Sequence, residues 1–179
     1  MSDSLQLVKQ LREITGAGML DCKNYLLRAN NNLDDAIKLF RSESGKKAEK
    51  KGSRIAAEGI VNFYENSESM LIIEINSETD FVAKDDNFIS LAEAISNELL
   101  AKDITECRES IDNKINDSIS KLGENIKLRR HLKLDKKNYL MGYSHNNKIV
   151  SLVELKNSDE NLAKDICMQI VASNPLAID

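Results

Sequence analysis

Tryptophan is absent from this 179-residue chain, and four tyrosines and four phenylalanines are its only aromatic residues. A core must therefore be built mainly from leucine, isoleucine, valine and alanine. The three cysteines, Cys22, Cys107 and Cys167, lie far apart and form no CxxC pair. An odd, scattered set of this kind fits reduced thiols in a cytoplasm rather than a disulfide framework. With His131 and His145 as the only histidines, a zinc site lacks ligands, and no metal or cofactor is expected. Enzyme templates are missing as well: no GxGxxG, no GxxxxGK[ST], no GxSxG and no HExxH occurs. No cationic segment followed by an apolar run opens the chain, and no apolar stretch reaches membrane-spanning length. A net charge of −4 speaks against a protein that lives on nucleic acid or an anionic membrane, but it does not exclude a local basic patch. These absences describe a cytoplasmic binding protein rather than an enzyme.

What is present divides into three stretches. Residues 1–42 carry helical periodicity: Leu5, Leu7, Val8, Leu11 and Ile14, then Met19, Cys22, Leu26 and Ala29, then Leu33, Ala36, Ile37 and Phe40. "TGAG" (15–18) and "NNN" (30–32) interrupt it, and Asn32 is the expected cap of the third helix. Residues 43–54 lie within "RSESGKKAEKKGSR" (41–54), which has six cations and no large apolar side chain. It reads as a basic linker or a solvated helix, with a nucleic-acid contact as the other reading. Residues 55–179 mix both periodicities. A hairpin runs through Val61, Phe63 and "MLIIEI" (70–75), with "ENSES" (65–69) as its turn. Helices follow on Phe88, Leu91, Ala92, Ile95 and Leu99, and on Ile111, Ile115, Ile119 and Leu122.

"NIKLRRHLKL" (125–134) alternates, with Ile126, Leu128, Arg130, Leu132 and Leu134 on one expected face and Lys127, Arg129, His131 and Lys133 on the other. The wet face is either plainly solvated or a docking surface for something acidic. Strands at 139–145 and 148–155 around an "NN" turn complete an expected three-stranded meander. A helix over 159–173 burying Leu162, Ile166 and Ile170 closes an α+β fold.

One loop resists the bland reading. "INSETDFVAKDDNF" (75–88) sets Phe81 and Val82 among acids, so the ring either turns inward to pack, which composition alone favours, or points outward. Asp80, Asp85 and Asp86 are better suited to capping helices than to holding a metal.

Three segments resemble the bacterial and organellar elongation factor Ts family: "LREITGAGMLDCKNYL" (11–26), "EINSETDFVAKDDNF" (74–88) and "LGENIKLRR" (122–130), in matching order across residues 4–179. The resemblance implies a ubiquitin-associated-type three-helix domain at 1–42, a linker at 43–54 and a dimerisation-type core subdomain at 55–179. It implies a guanine nucleotide exchange factor that acts on elongation factor Tu in translation. Thr79, Asp80, Phe81 and Val82 would enter the partner's nucleotide-binding domain near magnesium and phosphate. Arg12, Met19 and Leu20 would grip the same domain, and His145, in "GYSH" (142–145) where the family often has serine first, would reach it too. In longer members "MQIVASNPLAID" (168–179) is followed by further domains. The chain is then either a fragment or one of the short members that pair as homodimers. Competing readings are an adaptor without exchange activity and an RNA-associated factor using residues 41–54 and the Lys127–Lys133 face.

Overall fold

A computed structural model describes residues 2–157 and 159–176. The chain is mixed α and β, with seven helices and five strands among these residues. The last three residues of "MQIVASNPLAID" lie outside them.

Three helices come first: α1 (Ser2–Thr15), α2 (Met19–Arg28) and α3 (Leu33–Lys51). They enclose Val8, Leu11, Cys22, Tyr25, Leu26, Ala36 and Phe40, with the Tyr25 ring edge-on to Phe40 at 5.7 Å. Asn30 and Asn31 adopt left-handed angles (φ 51° and 60°), a conformation asparagine tolerates. Asn32 then caps α3 by accepting a hydrogen bond from the Asp35 amide at 3.1 Å. Three apolar residues expected in these stripes face solvent instead: Leu5, Ile14 and Met19. Two neighbouring helices cover only part of α1, and Thr15 takes the inward place, its hydroxyl donating to the Leu11 carbonyl at 2.6 Å.

Helix α3 does not stop at Phe40. It continues through the cationic stretch to Lys51 and packs along α6 (Ile104–Leu122), where Lys51 Nζ donates to the Gly123 carbonyl at 2.7 Å.

Strands β1 (Glu58–Glu65), β2 (Ser69–Ser77) and β3 (Lys127–Asp135) form one antiparallel sheet in that order. Asn66 shapes the first turn by accepting from the amides of Glu68 and Ser69 at 2.9 and 2.8 Å. Helices α5 (Asp86–Ala101) and α6 bury Phe88, Leu91, Ile95, Leu99, Ile111 and Ile115 in the same cluster as Leu71, Ile73 and Ile75 of β2. Asp85 caps α5 through the Asn87 amide at 2.8 Å.

The expected three-stranded meander is not formed. β4 (Tyr139–His145) and β5 (Ile149–Leu155) make a separate two-stranded sheet, while β3 pairs with β2. β2 is apolar on both faces and sits at the sheet centre, hydrogen-bonded on both edges. Lys136 anchors the following turn to the β1–β2 turn, its amide donating to the Glu68 carbonyl at 2.8 Å, so β4 leaves the sheet there.

The expected single apolar face of β3 is also broken. Ile75 pairs with Leu128 and Glu74 with Arg130, which leaves Arg129 as the extra residue of a bulge. A one-residue insertion flips every later side chain to the other face. Leu132 and Leu134 therefore sit opposite Ile72 and Met70, on the other face from Leu128, and Leu132 is 53% exposed. Lys133 takes the helix side, its Nζ donating to the carbonyls of Leu99 and Leu100 at 3.0 and 2.7 Å. Arg129 and Arg130 both turn to the buried Glu74 carboxylate, at 3.0 and 2.5 Å. Burial alone would raise the Glu74 carboxyl, but the two guanidiniums outweigh it and hold it below the usual range.

Helix α7 (Glu160–Ser173) covers the β4–β5 hairpin with small residues, Ala163 and Cys167, rather than with Leu162, which faces solvent; Ile166 and Ile170 are half-buried. Ser151 Oγ donates to the Cys167 carbonyl at 2.9 Å and ties the hairpin to the helix.

Candidate partner-binding site

Between β2 and α5 the chain makes one short helix, α4 (Asp80–Ala83). Four residues cannot hold a helix by propensity. Its shape comes from Thr79, whose Oγ1 accepts from the Val82 amide at 3.3 Å, and from Ala83, which is buried with Val82 packed beside it. With Val82 and Ala83 turned inward, Phe81 turns outward and is 82% exposed. Asp80 beside it is half-buried and pairs with Lys84 at 2.8 Å. That hydrogen bond and charge hold the Asp80 carboxyl below its ordinary range, with Lys148 adding to the effect, and raise the Lys84 ammonium.

The base of this helix is fixed by two glutamates. Glu124 Oε2 accepts from the amides of Glu78 and Thr79 at 3.1 and 3.0 Å, and its Oε1 accepts from Thr79 Oγ1 at 2.7 Å. Glu78 reciprocates, its Oε1 accepting from the Asn125 amide at 2.6 Å and lying 3.5 Å from Arg54 Nη1. Neither glutamate stands out in the sequence. The signal available was a carboxylate directly after Gly123, which caps α6 in the left-handed conformation (φ 81°).

The β4–β5 hairpin reaches the same side of the molecule. Asn146 and Asn147 (φ 52° and 54°) make the tight turn, and the Asn147 carbonyl accepts from the Val61 amide of β1 at 2.8 Å. Lys148 pairs with Glu58 of β1 at 2.7 Å and contributes to the field at Asp80, so the tip neighbours α4. His145 lies at this tip, exposed, with Nδ1 3.5 Å from the Tyr143 hydroxyl and Nε2 3.3 Å from Asn146 Nδ2. Gly142 has a packing reason: a Cβ there would lie 2.7 Å from the Phe63 ring.

Arg12, Met19 and Leu20 form a second group on α1 and α2. Met19 is 39% and Leu20 71% exposed. Met19 lies between two shallow grooves, one lined by Leu5, Val8, Leu20 and Lys23, the other by Lys9, Arg12 and Glu13. The first is apolar with a cationic rim and was not foreseen at Leu5. This group and the Phe81 group sit on different elements, joined by α3.

All three cysteines are buried, and burial raises each thiol. Among the described residues, no cluster of His, Cys, Asp and Glu is placed to hold a metal ion, and no helix is long and apolar enough to cross a membrane.

A sequence model of the family described as Elongation factor TS matches residues 78–179, from the base of α4 onward. Elongation factor Ts of Xanthomonas campestris pv. campestris is 39% identical to the chain, over 98% of the chain and 63% of that protein. Elongation factor Ts of Legionella pneumophila (strain Lens) is 40% identical, over 98% of the chain and 64% of that protein. The chain thus spans a little under two thirds of the length of these curated relatives. With more than half of its residues inside the family match, the chain belongs to the elongation factor Ts family.

Proposed function

We propose that the chain is a guanine nucleotide exchange factor of translation elongation, acting in the cytoplasm on elongation factor Tu and making or breaking no covalent bond itself. The observation that carries this reading is Phe81, an aromatic ring 82% exposed at the tip of a rigidly held helix. Such a ring, unused by its own fold, is suited to enter a neighbouring protein.

In this reading Phe81 is the wedge and Asp80 its polar companion, both entering beside the partner's magnesium and phosphate site. Thr79 and Val82 belong to the same insertion and hold it in shape. His145 and Lys148 approach from the adjoining hairpin tip. Arg12, Met19 and Leu20 grip a second part of the same nucleotide-binding domain, where methionine's unbranched chain adapts to an irregular surface. Helices α1, α2 and the first half of α3 then serve as a ubiquitin-associated-type module at 1–42. Residues 43–54, helical as far as Lys51, connect it to a core at 55–179, and the same family reading includes pairing of two copies.

The physics is linkage. GDP and magnesium favour one arrangement of the partner's phosphate loop and the inserted side chains favour another, so each ligand weakens the other by the same free energy. The test is release of a fluorescent GDP from elongation factor Tu on addition of this 179-residue chain. Exchange requires a faster release at rising concentrations of the chain. An adaptor would bind and leave the off-rate unchanged.

A further inference from the structure

We infer that the turn at 123–125 is a positioning joint that holds the Phe81 helix and the end of α3 in one frame, with Glu124 and Asn125 as its positioning residues. The inference rests on the exchange reading for its consequence, but its geometry stands apart from it.

Three otherwise separate segments meet at this turn. On one side is the base of α4, where Glu124 gathers the Glu78 amide, the Thr79 amide and the Thr79 hydroxyl. On the other is the end of α3. Lys51 Nζ donates to the Gly123 carbonyl at 2.7 Å, and Asn125 Nδ2 donates to the Arg54 carbonyl at 2.7 Å. Lys127, just beyond the turn, donates to the Gly52 carbonyl at 2.8 Å. Glu78 closes the figure by accepting from the Asn125 amide while facing Arg54. Asn125 is buried, and Glu78, Thr79 and Glu124 are half-buried.

Hydrogen bonds to a carboxylate are roughly twice as strong as neutral ones. Three of them converge on Glu124 to fix a four-residue helix that could not persist alone. The frame extends further, since α3 carries α1 and α2. The Met19–Leu20 patch and the Phe81 ring are therefore displayed at a set separation. Two contacts held at one spacing act on a single partner as an intramolecular pair, and loosening the spacing weakens the pair without touching either contact.

Two measurements test this. The first needs no partner: amide hydrogen exchange at Val82 and Ala83 in Glu124→Ala against the unsubstituted chain. Protection should fall about tenfold or more as local opening becomes easier. Unchanged protection would overturn the joint.

The second is a double-substitution cycle in fluorescent GDP release from elongation factor Tu, combining Glu124→Ala with Phe81→Ala. Glu124→Ala should lower the maximal rate about as much as Phe81→Ala, and the pair should lose less than about twofold beyond either alone, because a misplaced ring has little left to lose. Losses that multiply would show that Glu124 does not act through Phe81. If Glu124→Ala does not fold, Glu124→Gln carries both measurements, removing the charge and one acceptor oxygen while keeping the side chain's length and the Thr79 cap of α4. Should the unsubstituted chain fail to accelerate release, the exchange reading falls, and the amide-exchange result alone decides the joint.

Discussion

On the exchange reading, replacing Phe81 by alanine should remove function while leaving the fold in place. Fully burying a phenylalanine ring is worth about 1.5–3 kcal/mol. At 82% exposure, most of that gain, about 1.2–2.5 kcal/mol, is unclaimed by the chain itself and available on entering a partner. About 1.4 kcal/mol is one decade in an equilibrium constant, so the substitution should lower stimulated GDP release by roughly one to two decades. The cost to folding should stay within about 0.5 kcal/mol, as for other exposed positions, because Val82 and Ala83 keep the inward contacts of α4. Stimulated release of fluorescent GDP from elongation factor Tu gives the first number and a thermal unfolding midpoint the second. Release that stays as fast as with the unsubstituted chain would refute the wedge, whatever the unfolding midpoint does. A loss of release matched by a large fall in midpoint would equally refute it, because the ring would then be serving the fold.

Other outcomes follow from the same geometry. Leu20→Asp places a charge in the apolar groove beside Met19 and should weaken partner binding about tenfold by titration, with little change in unfolding. Gly142→Ser sets a Cβ 2.7 Å from the Phe63 ring. It should cost about 1–3 kcal/mol by denaturant unfolding, and an unchanged midpoint would show that the ring moves freely. Asp117 sits against α3 with its carboxyl pushed up by burial, partly offset by Arg41 and Lys121. A carboxyl raised in the folded state favours folding only while protonated, so its cost grows as pH rises from the unfolded value of about 3.9 through the folded one. Asp117→Asn should therefore raise the unfolding midpoint at pH 7 and lose that advantage below about pH 4, and an advantage that persists in acid would contradict the burial argument.

The sequence made the elements readable where periodicity and punctuation agree. Asn32, Asp85 and the Asn146–Asn147 turn all act as their residue types suggest. It failed where one residue changes a pattern's meaning. The alternation of Ile126, Leu128, Leu132 and Leu134 looks unbroken, yet the bulge at Arg129 divides it between two faces. No local signal reveals that, because the cause is Glu74 on the neighbouring strand drawing in two arginines. Phe81 illustrates a different limit. Composition alone favours an inward ring, and the outward turn follows from Thr79 and Glu124, which lie 45 residues apart. Glu124 carries no distinguishing sequence pattern, since its partners include backbone amides distant in sequence.

Strand β3 bonds to β2 on one side only, and such a border invites other chains to stack onto it. Here the border is kinked at Arg129 and carries Lys127, Arg129, Arg130 and Lys133 against the one buried carboxylate of Glu74, so two copies meeting rim to rim would each bring an excess of positive charge. An acidic chain overall thus keeps its most adhesive margin cationic. Dilute salt should preserve solubility during handling, whereas concentrated salt, by muting that repulsion, should be the condition under which copies begin to clump.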